Sequence, residues 1–211
     1  MSLRLQMPTD DDVVADLAAA FPVAPGEERR ARRERVARGA DEEGFLDLAY
    51  QIVDSPIGPL LLAASPAGLV RVAFAQEDLD AVLARLAILI SPRILRSNRR
   101  TDDVASQLEE YFAGRRRQFD VPLDLQLVRG FRRTVISHLR DIPYGSTESY
   151  ARVAHAAGHR AAVRAVGSAC SHNPVPVVVP CHRVIRSDGT IGQYLGGAEA
   201  KATLLAIESA A

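Results

Sequence analysis

A cysteine and a histidine stand side by side near the C-terminal end of the chain. Pro180 fixes the backbone just before Cys181, and His182 follows directly, within the segment NPVPVVVPCHR that begins at Asn173. The thiolate is the nucleophilic form of cysteine, and a neighbouring imidazole is a common means of raising the thiolate fraction at neutral pH. The pair therefore indicates a nucleophilic cysteine.

Two other interpretations of these residues stay open at this point. Cys181 could be an ordinary buried cysteine, which is a common fate of this residue type. Cys170, His172, Cys181 and His182 together offer two thiolates and two imidazoles, which is the ligand chemistry of zinc. The spacing is poor for zinc, because the chain has no C-x-x-C or H-x-x-x-H pair here.

The elements that must position the pair form a mostly helical segment over residues 131–211. FRRTVISHLRDI has the spacing of an amphipathic helix that stops at Pro143. We expect STESYARVAHAAGH to form a helix capped by Ser146 or Thr147 and ended by Gly158, with RAAVRAVGSACSHN as the next helix. Two short helices joined by a glycine-containing turn are the outline of a helix-turn-helix. Residues 175–179 are predicted to form a short, buried, extended segment.

The middle of the chain has the pattern of a small sheet with helices. FLDLAYQIV, PLLLAA and GLVRVAFA are separated by the turn signals SPIG and SPAG, so they predict consecutive antiparallel strands. DLDAVLARLAILI and DDVASQLEEYFAG have helical periodicity, and QFDVPLDLQ alternates like one more strand. We predict an α+β protein with a small antiparallel-sheet N-terminal domain over 44–128 and a mostly helical domain with a helix-turn-helix over 129–211.

Residues 1–43 are predicted to be a helical or partly disordered N-terminal extension. One helix opens at Thr9 with three aspartates in its first turn, and the other, GEERRARRERVARGA, has almost no apolar face. An arginine-rich run of this kind is typical of a solvated helix or a disordered tail. A contact with nucleic acid or a partner is the alternative.

Composition limits the class of protein. The chain has 26 basic and 26 acidic residues, so it is not a simple polybasic nucleic-acid binder, although residues 131–211 are mildly basic. There is no run of 18 apolar residues, and the first 30 residues carry acids where a signal peptide would be apolar. Two cysteines do not make a disulfide framework, so we expect a reducing compartment and a cytoplasmic protein without membrane contact.

Several motifs resemble the O6-alkylguanine-DNA alkyltransferases, also called methylated-DNA–protein-cysteine methyltransferases. In the helical segment these motifs are IPYG followed by SY, RAVGSA, NPVPVVVPCHRVI, and YLGG followed by KATLLAIE. PCHRV with the upstream NP and the downstream GG is highly specific to this family. SPIGPL and YFAGRRRQFDVPLDL resemble the family's N-terminal domain, so the similarity spans residues 46–208.

The resemblance implies a role for each matching residue. Cys181 would accept the alkyl group from O6 of guanine, and His182 would take the thiol proton through a water. Glu208 would orient that histidine and stabilise its positive charge. Asn173 would support the turn at the cysteine, and Tyr150 would reach the flipped guanine and donate a proton to the base as it departs.

The resemblance also implies a DNA surface and a base pocket. Arg164 would fill the space that the extruded nucleotide leaves, a role that suits its planar guanidinium. Small residues on the same helix would let it approach a narrow minor groove, or would serve helix packing instead: Ala162, Ala165, Gly167 and Ala169. The guanine pocket would be walled by Val184, Tyr194, Leu195, Gly196 and Gly197. The scheme implies no cofactor and no metal, a monomer as the acting species, double-stranded DNA carrying O6-alkylguanine as its partner, and one reaction per molecule.

The chain departs from the family pattern at a few positions. Ile136 stands where tryptophan is usual, and Ala198 stands where leucine is usual. Leu195 replaces serine or glycine and would narrow the pocket or change which alkyl groups fit, and Val163 replaces a smaller residue. The N-terminal segment has no cysteine, so the structural zinc site of some relatives cannot form with the same ligands.

Two other functions are weighed against alkyl transfer. A lesion sensor of the alkyltransferase-like kind would flip the base without accepting the alkyl group, but such proteins replace the cysteine of PCHR, which is present here. A helix-turn-helix transcription regulator would carry base-reading Asn, Gln, Arg or Lys on its second helix. That helix is largely Ala, Val, Gly and Ser in this chain, which favours contact with the shape and backbone of DNA.

Overall fold

The computed structural model of the chain describes residues 26–209, and the helix predicted to open at Thr9 lies outside them. The helices are α1 (Gly26–Glu42), α2 (Leu79–Leu89), α3 (Asp102–Phe112), α4 (Phe131–Leu139), α5 (Tyr150–Ala156), α6 (Val163–Ser171) and α7 (Gly197–Ser209). The strands are β1 (Leu48–Val53), β2 (Leu60–Ser65), β3 (Gly68–Phe74), β4 (Ile94–Arg96), β5 (Glu148–Ser149) and β6 (Val184–Ile185). Short 3₁₀ turns lie at Ala75–Glu77 and Cys181–Arg183. The predicted α+β class is confirmed.

The N-terminal half, residues 45–127, is built on a four-stranded sheet with the order β3-β2-β1-β4. The three predicted strands are antiparallel neighbours, and Leu62 of β2 pairs with Gln51 on one side and Val72 on the other. The sheet is mixed and not antiparallel throughout, because β4, a strand that the sequence did not predict, pairs in parallel with β1. After β3 the chain crosses to the far edge through α2, and a crossover of this length delivers the next strand in the parallel direction.

The segment QFDVPLDLQ, predicted as a strand, makes only a single bridge to β3 within the described residues. Leu69 donates its N–H to Pro122 O at 2.8 Å and accepts from Asp124 N at 2.9 Å. Pro122 has no N–H with which to extend the ladder. The alternation of this segment therefore reflects one half-buried face of a loop that passes the edge of the sheet.

One hydrophobic core joins the N-terminal half to the helical half, residues 131–209. It contains Leu60 and Phe74 of the sheet, Tyr111 of α3, Ile136 of α4 and Leu204 of α7. Ile136 is fully buried, so an aliphatic side chain fills this position of the core. The core crosses the predicted boundary at 128/129, so the two halves stabilise each other by burying apolar surface. The domain boundaries themselves stay a prediction.

Helices α5 and α6 have the arrangement of two short helices that the sequence predicts, with Gly158 in the turn at φ +80°. The N-cap of α5 is Ser149, whose Oγ accepts from Arg152 N at 3.2 Å. The predicted caps Ser146 and Thr147 are therefore wrong. The reason is that β5 pairs with β6, which keeps the chain extended as far as Ser149.

The arginine-rich helix α1 is exposed along most of its length, and Ala37 is the buried residue among its described side chains. Two ion pairs attach its C-terminal end to the loop after β4: Arg99 with Glu42 at 3.3 Å, and Arg100 with Asp41. This agrees with the solvated helix predicted for the run. Among residues 26–209 no helix is long and apolar enough to cross a membrane.

Candidate active site

Cys181 begins the 3₁₀ turn that precedes β6, and it is 2% exposed. The buried side chain of Asn173 holds this turn. Its Nδ2 donates to Val179 O at 2.9 Å and to Cys181 Sγ at 3.2 Å, and its Oδ1 accepts from Val175 N at 3.1 Å. Asn173 therefore ties the loop together and places a hydrogen-bond donor on the sulfur.

The valine-rich segment before the cysteine is buried as predicted, but it is not extended. Val179 N donates to Val175 O at 2.9 Å, so the segment closes a tight turn, and Val177 has a φ of +71°. A β-branched residue rarely adopts this conformation, which costs on the order of 1–3 kcal/mol. Burial of the valines and the bonds of Asn173 hold the strained turn, and the turn sets the direction in which Cys181 emerges.

His182 and Glu208 form a buried pair beside the cysteine. His182 Nε2 lies 2.8 Å from Glu208 Oε1, and neither side chain is more than 1% exposed. A carboxylate accepts the proton of Nε2, which leaves Nδ1 as the basic nitrogen of the neutral ring. Nδ1 is buried and has no hydrogen-bond partner among the described residues.

Glu208 is also the acceptor for several other donors. Arg183 donates from Nε to Oε2 and from Nη2 to Oε1, both at 2.9 Å. Tyr111 OH donates to Oε1 at 2.7 Å, and Gly145 N donates to Oε2 at 3.2 Å. Burial acts to raise the pKa of Glu208, but the hydrogen bonds from His182 and Arg183 outweigh it and lower the pKa to about 2. The carboxylate is therefore charged at neutral pH.

Burial dominates the proton affinities of the cysteine and the histidine. It raises the pKa of the Cys181 thiol to about 11, against the hydrogen bond from Asn173 and the positive charge of Lys201. It lowers the pKa of His182 despite the hydrogen bond and charge of Glu208. At neutral pH the site thus holds a thiol and a neutral imidazole, the state in which a general base can accept a proton.

Cys181 forms part of the wall of a cavity of about 770 Å³, within the usual size range of ligand pockets. Other residues of the wall are Tyr150, Gly167, Cys170, Tyr194 and Leu195. Burial, with the nearby cysteines, raises the pKa of Tyr150 to about 12, so its hydroxyl keeps its proton at neutral pH. The structure therefore brings three of the predicted base-contacting residues, Tyr150, Tyr194 and Leu195, to the same cavity as Cys181.

The remaining predicted pocket residues lie behind this surface. Val184 is fully buried, and its carbonyl accepts a hydrogen bond from Nζ of Lys201. A Cβ on Gly196 would meet the ring of Phe74 at 2.6 Å, so the loop needs a glycine there to lie against the sheet. Gly197 has a φ of +87° and begins α7. These residues shape the loop before α7.

The residues predicted to contact DNA lie on α6 and directly before it. Arg164 and Ala165 are exposed, Ala162 and Gly167 are half-buried, and Ala169 faces the core. The Arg164 guanidinium has no ion-pair partner among residues 26–209. Helix α6 therefore presents Arg164 to solvent while Gly167 lines the cavity that contains Cys181.

The four residues of the zinc interpretation do not form a metal site in this structure. Within residues 26–209, no three His, Cys, Asp or Glu side chains are grouped so that they could hold a metal ion. His172 is exposed and its Nδ1 lies 2.8 Å from Ser168 O. Cys170 and Cys181 are both free and buried.

Two family profiles match the chain on either side of residue 128. The 6-O-methylguanine DNA methyltransferase DNA-binding domain matches residues 130–210, and the ribonuclease-like domain of the same methyltransferase matches residues 48–125. The methylated-DNA–protein-cysteine methyltransferase of Mycolicibacterium paratuberculosis is 41% identical over 163 residues, which cover 76% of this chain and 92% of that protein. The chain belongs to this family. Its predicted activity, that of a DNA-repair alkyltransferase, is thereby confirmed.

Other relatives of this methyltransferase agree. The methylated-DNA–protein-cysteine methyltransferase of Methanosarcina barkeri is 38% identical, over 75% of this chain and 96% of its own length. The crystal structure of the Mycobacterium tuberculosis O6-methylguanine methyltransferase has a TM-score of 0.66 and 36% identity, over 77% of this chain and 93% of that one. That of Mycobacterium tuberculosis OGT in complex with DNA has a TM-score of 0.65, with the same identity and coverage.

Three buried residues of the methyltransferase site were not assigned a role by its motifs. Tyr111 comes from the N-terminal half, and its contact with Glu208 depends on packing that no local pattern shows. Arg183 directly follows the Cys–His pair, and its ion pair with Glu208 depends on where the last helix packs. Lys201 is the one lysine of an arginine-rich chain and is fully buried, which is a compositional signal that could have marked it.

Proposed function

We propose that this methyltransferase accepts the alkyl group of O6-alkylguanine in double-stranded DNA on Sγ of Cys181. One observation carries the proposal: Cys181 lines a cavity and is followed in the chain by a buried histidine that can accept a proton. This next residue, His182, is hydrogen-bonded to the buried carboxylate of Glu208. An alkyl carbon on a base in the cavity would thus meet a thiol that has a proton acceptor nearby.

In this reaction the Sγ–carbon bond forms as the carbon–O6 bond breaks. The thiol proton passes through one water to Nδ1 of His182, and the charged carboxylate of Glu208 stabilises the imidazolium that results. Proton transfer is needed because a thiol with a pKa of about 11 contains little thiolate at pH 7. Tyr150, protonated at neutral pH, donates a proton to the departing base, and Asn173 holds the sulfur in place.

The product is a thioether, which water at neutral pH does not cleave, so each molecule acts once and uses no cofactor. We also propose that the molecule acts as a monomer in the cytoplasm. Two free, buried cysteines are consistent with a reducing compartment.

The substrate base has to leave the DNA stack before it can react. We infer that the nucleotide flips into the cavity, at a cost of a few kcal/mol, and that Arg164 fills the space left behind. Its exposed guanidinium supports this role because a planar cation can stack and hydrogen-bond there. The helix can approach a minor groove closely because its side chains at Ala162, Ala165 and Gly167 are small or absent. The structure of Mycobacterium tuberculosis OGT in complex with DNA supports contact with DNA.

Intact-protein mass spectrometry after incubation with a duplex carrying one O6-methylguanine tests the proposal. We expect a gain of one methylene that peptide mapping locates on Cys181. Cys181→Ala should gain no mass and still bind the alkylated duplex, because the thiol contributes chemistry and little DNA contact. Cys170→Ser is the matched control, since Cys170 lines the same cavity, and it should still be alkylated on Cys181. Stoichiometric alkylation of Cys181→Ala would show that the nucleophile is another residue.

A further inference from the structure

Tyr111 brings a side chain of the N-terminal half into the buried site of the helical half. It lies on α3 and is fully buried. Its hydroxyl donates to Glu208 Oε1 at 2.7 Å and lies 3.5 Å from His182 Nε2. The second distance is too long for a strong hydrogen bond, so the hydroxyl proton is directed to the carboxylate.

The two oxygens of Glu208 share Arg183 but differ in their other partners. Oε1 accepts from Tyr111, His182 and both Nη2 and Nε of Arg183, whereas Oε2 accepts from Nε of Arg183 and from Gly145 N. Tyr111 and His182 therefore share one oxygen atom. The other donors belong to the helical half, so Tyr111 is the contribution of the N-terminal half to this carboxylate.

The position of the Tyr111 hydroxyl is fixed by its surroundings. Its ring centroid lies 5.4 Å from that of Phe112, 5.3 Å from that of Phe119 and 6.1 Å from that of Tyr144. Burial and the negative charge of Glu208 raise the pKa of the Tyr111 hydroxyl. The group therefore remains a neutral donor over the pH range of an activity assay.

We propose that Tyr111 is a positioning residue for alkyl transfer. It holds Glu208 beside His182 and, by donating to the same oxygen, limits how strongly the carboxylate attracts the proton of the histidine. The inference rests on the proposed function, in which His182 takes the proton of Cys181. Through this one hydroxyl the N-terminal half sets the basicity of a group in the helical half.

The sign of the effect follows from the hydrogen bonds. A donor stabilises the charge of a carboxylate, and the carboxylate then stabilises a neighbouring cation less. Without the hydroxyl, Oε1 keeps only His182 and Arg183, so His182 binds a proton more readily. Alkyl transfer slows at low pH when His182 is already protonated. Loss of the hydroxyl should therefore move this acid limb of the rate profile to higher pH.

The titratable and charged groups around the pair come from several elements. They are Tyr111 of α3, Tyr144 after α4, Cys181 and Arg183 of the 3₁₀ turn, Tyr194 before α7, and Lys201 of α7. Tyr111 and Arg183 donate to Glu208 directly. Removal of the Tyr111 hydroxyl leaves every formal charge in this set unchanged, so a shift of the acid limb reports the hydrogen bond.

Single-turnover alkylation by free O6-benzylguanine, followed from acid to alkaline pH, tests the proposal. For Tyr111→Phe, which keeps the ring, we expect the acid limb to move up by about half a pH unit or more. Tyr144→Phe is the matched control, because Tyr144 OH donates to Ile207 O at 3.2 Å and not to Glu208. Its acid limb should coincide with that of the unaltered protein.

Two further measurements test whether the hydrogen bond from Tyr111 to Glu208 causes the shift of the acid limb. Replacement of Tyr111 by 3-fluorotyrosine, a stronger donor, should move the acid limb to lower pH. In a Glu208→Gln background, Tyr111→Phe should produce no further shift, because the charge through which the hydroxyl acts is gone.

A Tyr111→Phe protein with an unshifted acid limb overturns the proposal, whatever its rate. A shift of equal size in the Glu208→Gln background also overturns it. If Tyr111→Phe does not fold, the 3-fluorotyrosine protein decides by the direction of its shift. Failure of unaltered Cys181 to take up any alkyl group would instead refute the proposed function.

Discussion

Glu208→Gln should separate the chemical role of the buried carboxylate from its structural role. Glutamine keeps the shape of the side chain, removes its charge and replaces one acceptor oxygen with an NH₂ donor. The Glu208 side chain is 1% exposed, and its oxygens accept from Tyr111, His182, Arg183 and Gly145. The substitution therefore leaves buried donors without their acceptor.

The loss of stability should come mostly from Arg183, whose side chain is 8% exposed. Removing one partner of a buried ion pair costs about 3–5 kcal/mol. The pKa of Glu208 gives a similar value, because its fall from 4.5 to about 2 on folding corresponds to about 3 kcal/mol of the free energy of unfolding. This contribution is present above the unfolded-state pKa and is lost as pH falls from there towards 2. Denaturant titrations should show that loss in the unaltered protein and not in Glu208→Gln.

The chemical loss should appear in the alkylation rate. Without the carboxylate the imidazolium of His182 is less stable, so the apparent pKa of Cys181 rises. We expect the single-turnover rate on an O6-methylguanine duplex to fall about 100-fold near pH 7, which is at the low end of what a general base contributes. The deficit should narrow as pH approaches the Cys181 pKa of about 11, because hydroxide then forms the thiolate directly.

Glu199→Gln provides the control for charge. Glu199 is exposed in the first turn of the same helix, so the variant removes the same charge away from the site. Its rate profile should match that of the unaltered protein when all three proteins are compared well below their melting temperatures. If Glu208→Gln is less stable but its pH profile can be superimposed on the unaltered one, Glu208 serves only to bind Arg183 and the last helix, and the reasoning above is wrong.

Two more substitutions test the DNA surface and the loop before α7. Arg164→Ala should slow repair of duplex DNA about tenfold or more and leave the reaction with free O6-benzylguanine nearly unchanged, because only a duplex needs a nucleotide held out of its stack. Arg160→Ala is the control for charge, and equal losses on both substrates would make Arg164 a pocket residue. Gly196→Ala should lower the free energy of unfolding by about 1–3 kcal/mol in denaturant titrations, since the new Cβ would meet the Phe74 ring at 2.6 Å. Unchanged stability would mean that the ring and loop adjust without strain.

Local sequence patterns predicted the elements of the fold better than their pairing. Strand β4 has three residues, too few for an alternating pattern, and its parallel direction follows from the route of the chain through α2. The alternation around Pro122 suggested a strand, but a proline cannot extend the ladder. The cap of α5 is Ser149 because a distant segment pairs with the residue before it, and that pairing is invisible to a local capping rule.

In the candidate site, too, local motifs predicted some residues, whereas others depend on contacts between distant parts of the chain. Cys181, His182, Asn173 and Glu208 belong to recognisable motifs, and the structure joins them in two hydrogen-bonded pairs, Asn173 with Cys181 and His182 with Glu208. Tyr111 is 97 residues from Glu208 along the chain, so its contact depends on the shared core of the two halves. The turn at Val177 was missed because a run of valines normally favours extended backbone, and here the bonds of Asn173 outweigh that preference.

Glu208 and Tyr111 act on the same histidine with opposite signs, and this opposition separates their chemical roles from simple loosening of the site. A carboxylate attracts a proton to His182, and a hydroxyl that donates to that carboxylate weakens the attraction. Removing the carboxylate should therefore lower the basicity of His182, whereas removing the hydroxyl should raise it. Loosening alone would slow both variants and move neither acid limb. The two pH profiles consequently show whether Glu208 and Tyr111 set the basicity of His182 or only stabilise the packing around it. This holds even if both variants react more slowly than the unaltered protein.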